Sequence, residues 1–221
     1  MHPLCESVYT NNTKLVIHAL IISHNKHEYM KIQFTFLLII CAQFVFAQSN
    51  FELELSEAAQ TLTSKNVTYD PSYFSISYPN GDIPSDKGVC TDVVIRAYRI
   101  IGVDLQKEVH EDMLNNFHLY PKSWGLSKPD KNIDHRRVPN LMTYFSRFGK
   151  VKPITKNTTD YTPGDIVCWD LGGGVTHIGL VVNKKSLDNQ RYLVVHNIGG
   201  GQVLADCLFD FKIIGHYAYA K

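Results

Sequence analysis

The chain has 221 residues, with 22 Lys and Arg against 21 Asp and Glu for a formal net charge of +1. That balance lacks the basic footprint needed to hold nucleic acid or an anionic membrane surface, so neither is expected as a partner. Five cysteines are present, an odd count if all of them stayed in an exported chain.

Residues 1–29 show no clear periodicity and precede a serviceable start at Met30, so they are read as an over-extended N-terminus. Residues 30–47 have the layout of a signal peptide: Lys31, an apolar run from Phe34 to Ala42, and Val45-Phe46-Ala47 before Gln48. The run is too short for a permanent span of about 20 residues, and cleavage after Ala47 is expected. A lipid anchor on Cys41 would need small residues before it, where Ile39 and Ile40 stand. Residues 48–221 then form one domain, with a balanced charge and three cysteines, Cys90, Cys168 and Cys207. At least one of these thiols is free or paired between chains. Cys168 and Cys207 sit in apolar, strand-like runs and are read as small buried hydrophobes.

Leu55, Ala58, Ala59 and Leu62 share one side of an amphipathic helix from Phe51 to Lys65. The turn-rich stretch Asn66 to Lys87 reads as an ordered loop. A helix is predicted to start close to Cys90 and stop at Gly102, with Val93, Val94, Ala97, Ile100 and Ile101 at helical spacing. Two more helices are expected, about Gln106 to Leu119 and from Pro139 to Gly149. The period then changes. Gly164 to Trp169, Thr176 to Val182, Tyr192 to Asn197 and Lys212 to Tyr219 are β-rich runs separated by turns, which predicts an antiparallel sheet. Helices first and strands after define an α+β domain.

Within that layout Cys90 falls in the first turn of a helix, where free N–H groups and the dipole favour a thiolate. His177 heads a predicted strand, a rigid place for a general base. The next strand ends in His196-Asn197, and either residue could hold the second imidazole nitrogen, but not both, because they face opposite sides. On residues alone, the competing reading is a structural cysteine and a satisfied half-buried histidine.

The motifs Gly88 to Asp92, Val109 to Met113, Asn132 to Asn140, Pro163 to Val167, His177-Ile178-Gly179 and His196 to Gly199 resemble those of the family catalogued as domain of unknown function 1287. The order of Cys90, His177 and His196 is also similar to the NlpC/p60 and CHAP-type cysteine hydrolases. That resemblance implies a papain-like fold, hydrolysis of amide bonds in cell-wall peptides, and a triad of Cys90 as nucleophile, His177 as base and His196 as orienting residue. Gly-Val before the cysteine and Thr-Asp after it depart from the common pattern and leave the oxyanion hole unassigned.

Tyr78, Asp92, Arg136, Arg137 and Asn197 are the candidates for substrate contact. Arginine binds carboxylates in a two-pronged geometry, which makes Asp134-His135-Arg136-Arg137 either a clamp or a structural ion-pair loop. Tyr78, Trp124 and Trp169 either line a cleft or belong to the core. His110, Glu111 and His118 lack the paired i, i+4 histidines of a zinc helix, and no metal is expected. Gly172-Gly173-Gly174 and Gly199-Gly200-Gly201 read as flexible turns beside the site. The sequons at Asn66 and Asn157 matter only in a glycosylating host.

The sequence therefore predicts an exported, periplasmic or extracellular cysteine amidase or peptidase. It is expected to be monomeric, to need no cofactor and to act on peptidoglycan peptides through a thioester. An acyltransferase using the same site and a non-catalytic wall-binding module on the same fold are the alternatives.

Overall fold

The computed structural model describes residues 50–221. The readings of residues 1–29 as an over-extended start and of 30–47 as a signal peptide lie outside them.

Helix α1 covers residues 50–62 and buries Leu55, Ala58, Ala59 and Leu62, the stripe its sequence predicts. The loop that follows carries two short strands, β1 (Thr68–Tyr69) and β2 (Lys87–Gly88), paired in parallel. Side chains from distant elements satisfy its backbone: Asn132 accepts from the Ile76 N–H at 3.1 Å, while Gln106 accepts from Gly81 N at 2.7 Å and donates to Ser77 O at 2.8 Å. Without such partners a long loop of this kind would leave polar groups stranded.

Helix α2 (Cys90–Ile100) is buried at every position from Cys90 to Tyr98 and is the central helix. Ile100, expected on its inner face, is exposed, because the apolar face has rotated past it by the last turn. Helix α3 (Leu105–Asn116) starts where Asp104 accepts from Lys107 N, an ordinary N-cap. It ends three residues early, and Phe117–Leu119 form a separate 3-10 turn. Asp134–Arg136 form another such turn that leads into α4 (Val138–Phe148). Pro139 lies in the first turn of α4 and Gly149 caps its end, as the punctuation predicts.

The chain then builds a six-stranded sheet from β3 (Lys150–Val151), β4 (Ile166–Asp170), β5 (Thr176–Lys185), β6 (Tyr192–His196), β7 (Val203–Ala205) and β8 (Lys212–Ala218). Its order is β3-β8-β4-β5-β6-β7, and each recorded pairing is antiparallel. The domain is thus mixed α and β, with helices against an antiparallel sheet. One sheet face, with Ile166, Cys168, Ile178, Leu180, Val182 and Val195, packs on the helices. The other, with Val167, Trp169, Val181 and Val194, is covered by Tyr161 and Leu208 from loops. Cys207 corrects its sequence reading: it lies in the loop after β7, only part-buried, and not in a strand.

The motif Pro163-Gly164-Asp165 is structural. Gly164 has φ +89°, and a Cβ there would lie 2.7 Å from that of Glu52 in α1, so no other residue fits. Buried Asp165 accepts from Lys152 Nζ at 2.7 and 2.6 Å and from Thr162 N at 2.7 Å, and His216 Nε2 lies 2.9 Å away.

Candidate active site

Cys90 opens α2, and Asp92 holds that opening in place. One Asp92 oxygen accepts from Val89 N at 2.7 Å, and the carboxylate takes the Arg136 guanidinium at 2.9 and 3.1 Å. Arg136 reaches on to Ser72 O, and Thr91 Oγ1 donates to Arg136 O at 3.1 Å. Asp92 and Arg136, both read from the sequence as candidate substrate contacts, are paired with each other in a buried ion pair. A buried pair of this kind is expensive to break from one side, because the remaining charge is left unpaired.

The thiol packs against β5. The Ile178 backbone, one residue from His177, is near enough to act on its ionisation. His177 belongs by alternation to the opposite sheet face, where its ring is tilted against Trp169 with centroids 5.7 Å apart. Its Nε2 lies 2.9 Å from Nδ1 of His196, at the end of the neighbouring strand. Gly179 makes that pairing possible, since a Cβ there would come within 2.7 Å of Val194 Cγ1 and 3.1 Å of His196 Cβ. On the far side, His196 Nε2 lies 3.5 Å from Cys207 Sγ. Among the described residues no hydrogen bond reaches Nδ1 of His177, and none joins Cys90 to His177.

Between the two candidates for the orienting role, the geometry separates His196 from Asn197. Asn197 is fully buried and points elsewhere, its amide donating to Gly88 O at 3.3 Å and its oxygen accepting from Gly199 N at 3.1 Å. It ties the end of β6 to the backbone just before Cys90, a scaffold contact in this structure. Tyr78 packs edge-on against His110, with centroids 5.2 Å apart. Trp169 is core, its indole donating to Leu208 O. His110, Glu111 and His118 do not converge, and among the described residues no group of three His, Cys, Asp or Glu is placed to hold a metal ion. Arg137 is half-buried, and its guanidinium stacks on Trp124 at 4.1 Å.

Tyr69 escaped the sequence reading. It lies on β1 opposite Gly88, partly exposed, and its hydroxyl is pushed up first by burial and then by the charges of Cys90 and Asp92. The turn-rich loop gave no periodic signal that could have singled it out.

The electrostatics reverse one expectation. A cysteine at a helix start should have a depressed pKa, but burial pushes Cys90 up to about 11, aided by the Asp92 charge, against donors at Ile178, Thr91 and Cys90 itself. Removing a thiolate from water costs more here than the helix end returns. Burial, followed by the nearby His196, holds His177 down to about 4. Burial thus holds both the thiol and the imidazole towards their neutral forms. Cys168 and Cys207 are also pushed up by burial, Cys207 to about 12, and all three thiols are free.

A helix-start thiol, two hydrogen-bonded histidines on adjacent strands and a buried brace between Asp92 and Arg136 are assembled on a mixed α and β frame, and the sequence around them matches a known family over residues 56–219. The chain belongs to the family described as domain of unknown function (DUF1287). It is 51% identical over 172 residues to the uncharacterized protein YijF of Escherichia coli (strain K12), an alignment that covers 78% of this chain and 83% of that protein.

Proposed function

We propose that the protein is an exported cysteine hydrolase with a papain-like fold related to the NlpC/p60 and CHAP-type enzymes, cleaving an amide bond in peptidoglycan peptides. The observation that carries the reading is the 2.9 Å pair between His177 Nε2 and His196 Nδ1, set beside the strand residue that meets the Cys90 thiol. A hydrogen on His177 Nε2 shared with His196 leaves Nδ1 as the acceptor a nucleophile needs. The order of parts, thiol helix first and histidine strands after, supports the papain-like frame. The peptidoglycan substrate and the export rest on the sequence resemblance and on residues 30–47.

In this mechanism the thiol gives its proton to Nδ1 of His177 as sulfur attacks the carbonyl carbon, so no resting thiolate is required. Cys90 N–H and the Tyr69 hydroxyl are the donors proposed for the oxyanion. His177 then returns the proton to the leaving nitrogen, the C–N bond breaks and a thioester remains. Water attacks the thioester, giving its proton through His177 to the departing sulfur, and the carboxylic acid is released. The mechanism requires the head of β5 to turn the His177 ring towards the thiol when substrate binds, since His177 faces Trp169 in this structure.

Mass spectrometry of purified wall fragments after incubation should show a new amine and carboxylate pair with the native protein and none with Cys90→Ala. His177→Ala should lose about 10²–10⁴-fold in kcat, and His196→Ala less, because it only orients its neighbour. Fragments left intact by folded native protein would sink the hydrolase reading.

A further inference from the structure

The arginines of residues 50–221 divide unevenly. Arg96 and Arg99 pair with Asp82, Arg136 with Asp92, Arg147 with Asp112, and Arg191 with Asp188 and Asp206. Arg137 alone makes neither an ion pair nor a side-chain hydrogen bond among the described residues. It is nevertheless half-buried, with its guanidinium 4.1 Å from the ring centre of Trp124, which is itself 41% exposed. None of the Arg137 nitrogens is among the buried unpaired polar atoms, so the fork is open to solvent and to an incoming anion.

The neighbouring carboxylates do not supply one. Asp134 is fully buried and accepts from Asp130 N, while Asp130 is taken by Tyr73 Oη and Asn132 N. They influence Arg137 through space, without reaching ion-pair distance. With its Cζ over the indole and no side-chain partner on its nitrogens among the described residues, the guanidinium keeps its fork free, and a fork matches a planar carboxylate in two parallel hydrogen bonds. Two acidic side chains nearby weigh against a doubly charged phosphate. The position also fits a substrate contact, since the peptide just before Arg137 is anchored by Thr91, the residue after Cys90.

We infer that Arg137, backed by Trp124, recognises a free carboxylate on the peptide that enters the site. This rests on the hydrolase reading only in taking the ligand to be the substrate peptide. Arg137 then selects stem peptides by their carboxylates, and their amidated forms are discriminated against.

Binding is measured by calorimetry on Cys90→Ala protein, so that turnover plays no part, with a synthetic stem tripeptide bearing free carboxylates and with its fully amidated form. Amidation should weaken binding by about 10- to 100-fold, the range for hydrogen bonds to charged groups. Arg137→Gln in that background should lose as much for the free peptide and little more for the amidated one, because both changes remove the same pair. Arg137→Lys should recover only part, and Trp124→Ala should weaken the free peptide selectively. Equal affinity for the two peptides, no binding of either, or unchanged binding by folded Arg137→Gln overturns the inference. Hydrolysis by the native enzyme is assayed in parallel. Carboxylate-dependent binding without turnover would count against the hydrolase reading alone, and turnover with binding indifferent to Arg137 against this inference alone.

Discussion

At the scale of single residues, the chemistry of Cys90 is decided by two opposed effects acting on one sulfur. Its backbone donors favour the thiolate, and its burial opposes it more strongly, pushing the thiol up to about 11. Alkylation proceeds through the thiolate. Labelling of Cys90 by iodoacetamide should therefore be slow at pH 6 and rise about tenfold per pH unit through pH 9, with Cys168 the last of the three to react. A rate that is flat from pH 5 to 8 would instead reveal a thiolate paired with an imidazolium. The positions of the thiol and of both histidines were legible in the sequence, because helix punctuation and strand alternation locate them. It could not give the thiol's ionisation, which depends on how deeply α2 is packed. Nor could it sort the polar neighbours: Asp92 and Arg136 are far apart in the chain, and only the fold shows that each is consumed by the other.

Among the secondary-structure elements, the junction of β5 and β6 matters most, and Gly179 governs it. Its missing side chain lets β6 bring His196 against His177, with Val195 O at 3.0 Å from where a Cβ would sit. Gly179→Ala should separate the strands locally, costing about 1–3 kcal/mol as overpacking does. A lower Tm should be accompanied by a fall in kcat larger than that of a comparably destabilising change on the far end of β5. Unchanged turnover would mean that the two histidines keep their spacing without the glycine. The long elements were legible, since α1, α2, α4 and the four main strands announce themselves by period and by Pro or Gly at their ends. The two-residue strands β1, β2 and β3 were not, because a pair of residues carries no period. They exist only through their partners.

For the molecule as a whole, the buried histidines set the response to acid. His135 is held down to about 3, first by burial and then by the charges of Arg136, Arg99 and His110, and His177 to about 4. Both lie below the unfolded value of about 6.5, so the unfolded chain binds more protons and stability falls as pH drops from about 6.5 towards 3. Asp134, raised to about 6 mainly by burial, acts in the other direction, its cost being relieved as it protonates. His135→Gln removes one of these liabilities, which burial also imposes on His110 and His196, and should retain on the order of 2 kcal/mol more of its neutral-pH stability at pH 4.5 than the native protein does. Urea unfolding at pH 7 and 4.5 checks this, and an identical pH loss in both proteins would assign the acid response elsewhere.

The strand order has a kinetic consequence. Strand β8, latest in sequence of the six, lies inside the sheet between β3 and β4, and Tyr98 of α2 donates to Tyr219 O just beyond it. A chain emerging from the ribosome can form its helices early, yet β4 keeps one open edge until some fifty residues later, when residues 212–218 arrive to fill it. Contacts of such long separation close slowly. The sheet is therefore completed only once its final strand has been synthesised, so folding of the domain as a whole waits on the last tenth of the chain.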